Sequence, residues 1–201
     1  MINITLIRHG KTEANKRKAY LGITDEPLSE EGIAELEGYK KNGKYPKADI
    51  VYVSPMIRCR QTAEILYPGV SVNIVEEFAE MNFGIFEMKN YKDLEDSIEY
   101  RKWVDSMCTS KIPKGESLQK FICRTRNGLK RITPELQSYE DETEVVFVVH
   151  GGTIMSLLSG LTGKDYYDFQ VENGLGYRVR CDFDKEKLCY NFYKTTCNIT
   201  T

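Results

Sequence analysis

Glu144-Val145-Val146-Phe147-Val148-Val149-His150-Gly151-Gly152 is the stretch on which the fold turns. Val145 to Val149 is the most apolar run in the chain. It is short and rich in β-branched residues, so it reads as a central strand buried on both faces. His150 and two glycines follow, then a helix over Thr153 to Leu161. A doubly buried strand that runs straight into a helix is the building unit of a parallel sheet covered by helices.

The same pattern recurs along the chain. Ile2 to Ile7 is an apolar run that ends in Arg8-His9-Gly10. Asp49 to Ser54 is a second strand, followed by Pro55, a helix from about Met56 to Leu66, and a stop at Pro68-Gly69. Val70 to Val75 alternates as a third strand. Ser29 to Gly43 reads as a helix with Ser29 as N-cap, Glu30 and Glu31 in the first turn, and Gly43 as the stop. Ile33, Leu36 and Tyr39 share one of its faces.

Residues 78 to 90 carry no period. A helix from about Tyr91 to Met107 directs Leu94, Ile98 and Val104 inward. Another begins near Ser117 and repeats Leu118, Phe121, Ile122, Leu129, Ile132 and Leu136 at helical spacing, with Pro134 expected to kink or shorten it. Gly176 to Phe183 and Leu188 to Tyr193 read as strands joined by a hairpin at 184–187. The expectation is an α/β three-layer sandwich: a mostly parallel central sheet with an antiparallel edge, flanked by helices. It forms one domain over 1–201, with a small helical cap inserted at about 84–116.

Bulk composition narrows the function. The chain has 201 residues, a net charge of −2, 41% hydrophobic and 29% charged residues. That balance is ordinary for a soluble globular protein and gives no basic excess for a nucleic-acid partner. No signal peptide or membrane span is read, so no membrane partner is expected. None of the six cysteines forms a CxxC, which disfavours zinc and suits free thiols in a reducing cytoplasm.

The chemistry is local. His9 and His150 are the only histidines, and each stands at the C-terminal end of an apolar run just before glycine. Ligands of α/β sheets bind at such strand ends. A neutral imidazole held in one tautomer is a nucleophile. Arg8 and Arg58 can each offer a planar fork to phosphate oxygens. His150 adds a donor, and the amides of Gly151 and Gly152 open a helix whose N-terminus can face an anion. Together these groups form an oxyanion site suited to a phosphoryl group. A leaving alkoxide also needs a proton. Glu80, in Phe78-Ala79-Glu80-Met81-Asn82-Phe83-Gly84, has the apolar company that raises a carboxyl pKa. Asp25, Glu76, Glu77 and Glu87 are the competing acids.

At this point the sequence resembles the histidine phosphatase superfamily, also called phosphoglycerate mutase-like. LIRHGKTEAN at 6–15, SPMIRCRQTAEI at 54–65, FAEMNFGIFE at 78–87 and VVHGG at 148–152 match its four blocks in order. The resemblance implies His9 as nucleophile, Arg8, Arg58 and His150 as partners of the phosphoryl group, and Glu80 as acid. It also implies Asn15, Leu21, Gly22 and Gly151 in the phosphate-binding set. Arg58, and not Arg60, takes the second arginine's role. Met81-Asn82 stands where mutases carry Arg-His, which argues for hydrolysis.

YLGITDEPLSEEG at 20–32 and IPKGESL at 112–118 resemble the α-ribazole phosphatase branch of cobalamin synthesis, although Leu21 replaces a residue that is often smaller there. The implied reaction is metal-independent, cofactor-free hydrolysis of a small-molecule phosphomonoester through a phosphohistidine. The implied substrate is α-ribazole 5′-phosphate. A broad sugar-phosphate phosphatase, a phosphoglycerate mutase and a non-catalytic phosphate-binding pseudophosphatase remain as alternatives.

Other residues stay open. Arg60 is expected in solvent and Cys59 packed in its helix. Tyr91, Tyr100 and Trp103 either stack on substrate or pack the cap. Glu116 and Arg124 can pair structurally. Tyr166-Tyr167-Asp168-Phe169 either covers the core edge or forms the contact of a homodimer.

Overall fold

A computed structural model describes residues 1–184 and 189–197, with side chains up to residue 182. Six strands form one sheet in the order β3-β2-β4-β1-β5-β6. They are β1 (Ile2–Arg8), β2 (Ile50–Val53), β3 (Val72–Ile74), β4 (Glu144–Val149), β5 (Gly176–Asp184) and β6 (Cys189–Cys197). The first four strands in that order run parallel; β5 lies antiparallel to β1, and β6 antiparallel to β5. This is the α/β sandwich with an antiparallel edge that the sequence implied.

The helices are α1 (Glu13–Lys16), α2 (Glu30–Lys41), α3 (Ile57–Leu66), α4 (Ile98–Asp105), α5 (Leu118–Leu136) and α6 (Gly151–Thr162). β4 shows why the two layers form. Val145, Phe147 and Val149 join Leu129, Ile132 and Leu136 of α5 and Ile154, Leu157 and Leu158 of α6. Val146 and Val148 point to the other face and join Leu36 of α2 and Cys59, Ala63 and Leu66 of α3. Alternation along a strand therefore feeds both cores. Each such buried valine, leucine, isoleucine or phenylalanine contributes about 1.5–3 kcal/mol.

A third apolar cluster lies off the sheet. Met81, Phe86, Leu94, Trp103 and Ile112 pack there against Phe121 of α5. Its rings interlock: Tyr20 meets Trp103 edge-on at 5.6 Å, and Phe86 meets Tyr100 at 5.5 Å. Gly84 sits at the base with φ +50°, where a Cβ would lie 2.2 Å from the Pro113 carbonyl oxygen.

The structure corrects several boundaries. The helix expected over 91–107 is only α4. Ser97 caps it by accepting from the Tyr100 amide, which resets the helical phase. Tyr100 and Trp103 then face the cluster, while Ile98 is 62% and Val104 45% exposed; only Leu94 is buried as expected. β3 is shorter than 70–75 and forms the sheet edge, with Val72 and Ile74 exposed. Pro134 lies in the last turn of α5, which ends at Leu136. β6 extends further than Tyr193, and residues 185–187 of the expected hairpin turn lie outside the described residues. Among the described residues no helix is long and apolar enough to cross a membrane.

Candidate active site

Parallel pairing of β1 with β4 sets Arg8 opposite Val149, so the next residue of each strand is a histidine. The His9 amide donates to the Val149 carbonyl at 2.9 Å, which locks the two strand ends together. The rings meet edge-on with centroids 5.1 Å apart. The two histidines are therefore neighbours because of sheet register, at the strand ends where the sequence placed chemistry.

His9 is 4% exposed. Its Nδ1 lies 2.7 Å from the Gly10 carbonyl oxygen. A carbonyl can only accept, so Nδ1 carries the proton and Nε2 holds the lone pair. Burial is the main force that pushes the His9 pKa well below the usual imidazole range, followed by the charges of Arg58 and Arg8. The ring is thus neutral and in the tautomer a nucleophile needs.

His150 is fully buried behind it. Its Nε2 and Ser54 Oγ share a hydrogen bond of 2.7 Å, and Cys59 Sγ lies 3.5 Å from Nε2. Burial, then Arg58 and His9, holds this imidazole well below its usual range as well. Cys59 is a packed thiol, pushed up by burial to about 12, and Arg60 is exposed.

Arg58 is fully buried on α3. Its Nη2 donates to the Gly22 carbonyl at 2.8 Å and its Nη1 to the Thr24 carbonyl at 3.0 Å. Arg8 Nη1 donates to the Val171 carbonyl at 2.8 Å. The Nε–H of each arginine is buried and meets no protein acceptor. Two orphaned cationic donors around two neutral imidazoles mark a place where an anion belongs.

Glu87 holds the loop that anchors Arg58. Its carboxylate accepts from the amides of Gly22, Ile23, Thr24 and Phe83 and from Thr24 Oγ1. Gly22 therefore acts through its carbonyl on Arg58, its own amide being taken by Glu87. A Cβ on Gly22 would lie 1.9 Å from the Met81 carbonyl oxygen. Gly22→Ala is expected to lower stability by about 1–3 kcal/mol through overpacking, read by denaturant unfolding.

Glu80 is 8% exposed. Oε1 accepts from the Met81 amide at 2.8 Å and Oε2 from the Gly152 amide at 3.0 Å. Burial raises its pKa, while these two amides and the two arginines pull it down; burial wins. The Gly152 amide expected to face a ligand is thus already held by the acid. The rival acids are engaged elsewhere or exposed: Asp25 on the Ile57 amide, Glu77 on Arg131, Glu87 as above, and Glu76 in solvent.

These groups open on a cavity of about 400 Å³ lined by Arg8, His9, Asn15, Leu21, Glu80 and Gly151, among others. Arg58 and His150 are fully buried and do not line it. Tyr20, Phe83, Met155, Tyr167 and Val171 make its apolar walls. Trp103 and Tyr100 pack the third apolar cluster and do not line the cavity, and Tyr91 is exposed. In the 166–169 run, Tyr167 lines the cavity and Phe169 enters the core.

Sequence reasoning missed Asn173. Its Nδ2 donates to the His9 carbonyl and to Asn15 Oδ1, both at 3.1 Å, tying β1 to the loop before β5. Glu172-Asn173-Gly174 carried only a turn signal. Ser54, directly before Pro55 at a strand end, was a legible candidate.

The chain is similar to proteins already known. Residues 4–189 match the histidine phosphatase superfamily (branch 1). An adenosylcobalamin/alpha-ribazole phosphatase of Salmonella typhimurium is 31% identical over 180 residues, which cover 86% of this chain and 87% of that protein. The crystal structure of a putative alpha-ribazole-5′-P phosphatase from Escherichia coli superposes with a TM-score of 0.82 at 27% identity, covering 98% of this chain and 96% of that one. A phosphoserine phosphatase from Entamoeba histolytica, solved with 3-phosphoglyceric acid, gives a TM-score of 0.77 at 25% identity and covers 98% of each chain. With its two histidines paired by sheet register and its buried arginines, the chain belongs to branch 1 of the histidine phosphatase superfamily and is a phosphatase.

Proposed function

We propose that the protein hydrolyses phosphomonoesters through a phosphohistidine on His9, with α-ribazole 5′-phosphate as substrate. The observation that carries the reaction is the Gly10 carbonyl on His9 Nδ1, which reserves the Nε2 lone pair for attack. Nε2 bonds to phosphorus as the ester P–O bond breaks, and Glu80 gives its proton to the departing alkoxide. The resulting carboxylate then takes a proton from water, whose oxygen bonds to phosphorus as the N–P bond breaks. Neutral His9 and inorganic phosphate result.

Arg8, Arg58 and His150 surround the phosphoryl oxygens with positive charge and donors, with Asn15 and the Gly151 amide at the rim. The arginines supply this charge without a metal or cofactor. The segment 84–116 acts as a cap from behind: its Phe86, Tyr100 and Trp103 pack against Tyr20 and Phe83, which line the cavity.

Two observations support the substrate. The similar proteins include alpha-ribazole phosphatases. Among the described residues Arg8 is the only cationic side chain in the lining, and the walls are aromatic and apolar. One phosphate's worth of charge beside such walls suits a leaving group that is neutral and carries a flat ring. A leaving group with its own carboxylate would want a second cation.

The test is phosphate release at pH 6–7 in EDTA over α-ribazole 5′-phosphate, phosphoserine, 3-phosphoglycerate and sugar phosphates. The highest kcat/KM is expected for α-ribazole 5′-phosphate. A preference for phosphoserine or a sugar phosphate would overturn the substrate and keep the reaction. Dependence on 2,3-bisphosphoglycerate would indicate a mutase, and no release from any ester a phosphate-binding pseudophosphatase.

A further inference from the structure

Glu80 sits on a segment with little regular structure. Residues 76–78 form a single 3₁₀ turn, and residues 79–83 belong to neither helix nor strand. Such a segment supplies no ladder to hold a side chain still, yet a general acid must stay within hydrogen-bond reach of one oxygen.

The hold comes from α5. Arg124 Nη1 donates to the carbonyls of Glu77 at 2.8 Å and Ala79 at 3.0 Å, and Nη2 donates to the carbonyl of Glu80 itself at 3.2 Å. The remaining donors go to Glu116: Nε to Oε1 at 3.1 Å and Nη2 to Oε2 at 2.9 Å. Guanidinium has five N–H groups, and these five bonds match them. Glu116 Oε2 also accepts from the Asn82 amide at 3.0 Å, and the Glu116 amide donates to the Asn82 carbonyl at 2.9 Å. The chain is thus gripped on both sides of Glu80, at 77, 79, 80 and 82. Neither Arg124 nor Glu116 lines the cavity.

We propose that Arg124 and Glu116 are positioning residues for the general acid: together they fix the backbone from which the Glu80 carboxyl reaches the leaving oxygen. This rests on the reading of Glu80 as the acid. Lysine cannot replace Arg124, because one ammonium has three donors and no planar fork.

The test separates positioning from mere stability by varying the leaving group. 2-(4-Nitrophenyl)ethyl phosphate and 4-nitrophenyl phosphate share a ring, but only the first releases an alkoxide that needs a proton. For both, kcat/KM reports the steps up to departure of the alcohol. In Arg124→Lys and Glu116→Gln, kcat/KM for the alkyl ester is expected to fall about 10–10²-fold, a fraction of what a general acid contributes. For the aryl ester it is expected to fall far less. Glu80→Gln, measured beside them, is expected to show the same split more strongly.

Equal losses on both esters in both variants would overturn the proposal, as would no loss on either. No split in Glu80→Gln would overturn the reading of the acid, and the positioning role with it. Should Arg124→Lys fail to fold, Glu116→Gln decides alone, since it keeps the shape while removing the charge and one of the two acceptor oxygens.

Discussion

His9→Ala is expected to abolish phosphate release, by on the order of 10⁶-fold, the scale of losing a covalent nucleophile. The structure explains why no neighbour rescues it. His150 is the sole other imidazole, but it is fully buried and its Nε2 is committed to Ser54. Cys59 is held as a neutral thiol by burial. The check is rapid quench with ³²P-labelled substrate: wild type should hold label on the protein in an acid-labile, base-stable linkage, and His9→Ala none. Labelled protein in the variant would assign the nucleophile to another residue.

Glu80→Gln is expected to cost about 10²–10⁴-fold with alkyl esters, as for loss of a general acid. It should also change the pH profile. Activity needs His9 neutral, so kcat/KM falls as pH drops through a pKa that lies below the usual 6.5 or so. It needs Glu80 protonated, so kcat/KM falls as pH rises through a pKa held above the usual carboxylate value. Glu80→Gln should erase the alkaline limb and leave the acidic one. The amide side chain has one acceptor oxygen where two backbone amides now bond, so one of them loses its partner at about 1–3 kcal/mol. Melting measured beside the profile separates that loss from the chemical one. An alkaline limb that survives the substitution would sink the assignment.

The sheet and its site were legible for one reason. Strands buried on both faces leave continuous apolar runs, and the runs at 2–7 and 145–149 each stop at a histidine. What could not be read was the pairing that makes the two stops adjacent, since register is a tertiary fact. The cap failed for the opposite reason. Ile98 and Val104 fit a helical period that begins at Tyr91, but Ser97 starts a new helix and rotates the face, exposing both. The Glu116–Arg124 pair was readable and forms, but the grip of Arg124 on backbone carbonyls was not. Glu87, Arg124 and Asn173 bond mostly to amides and carbonyls, and main-chain partners have no spacing in a sequence.

The interlocked rings of Tyr20, Phe83, Phe86, Tyr100 and Trp103 have an evolutionary meaning. His9, His150 and Arg58 are bolted to the sheet and its first helices, where one slipped residue would scatter them. The rings stand on loops and a short helix outside the sheet, so a changed ring leaves the two histidines and the strand register in place. Descendants of one ancestral scaffold can thus inherit the bond-breaking apparatus intact and diversify in diet, by redecorating the wall that faces it across the cavity.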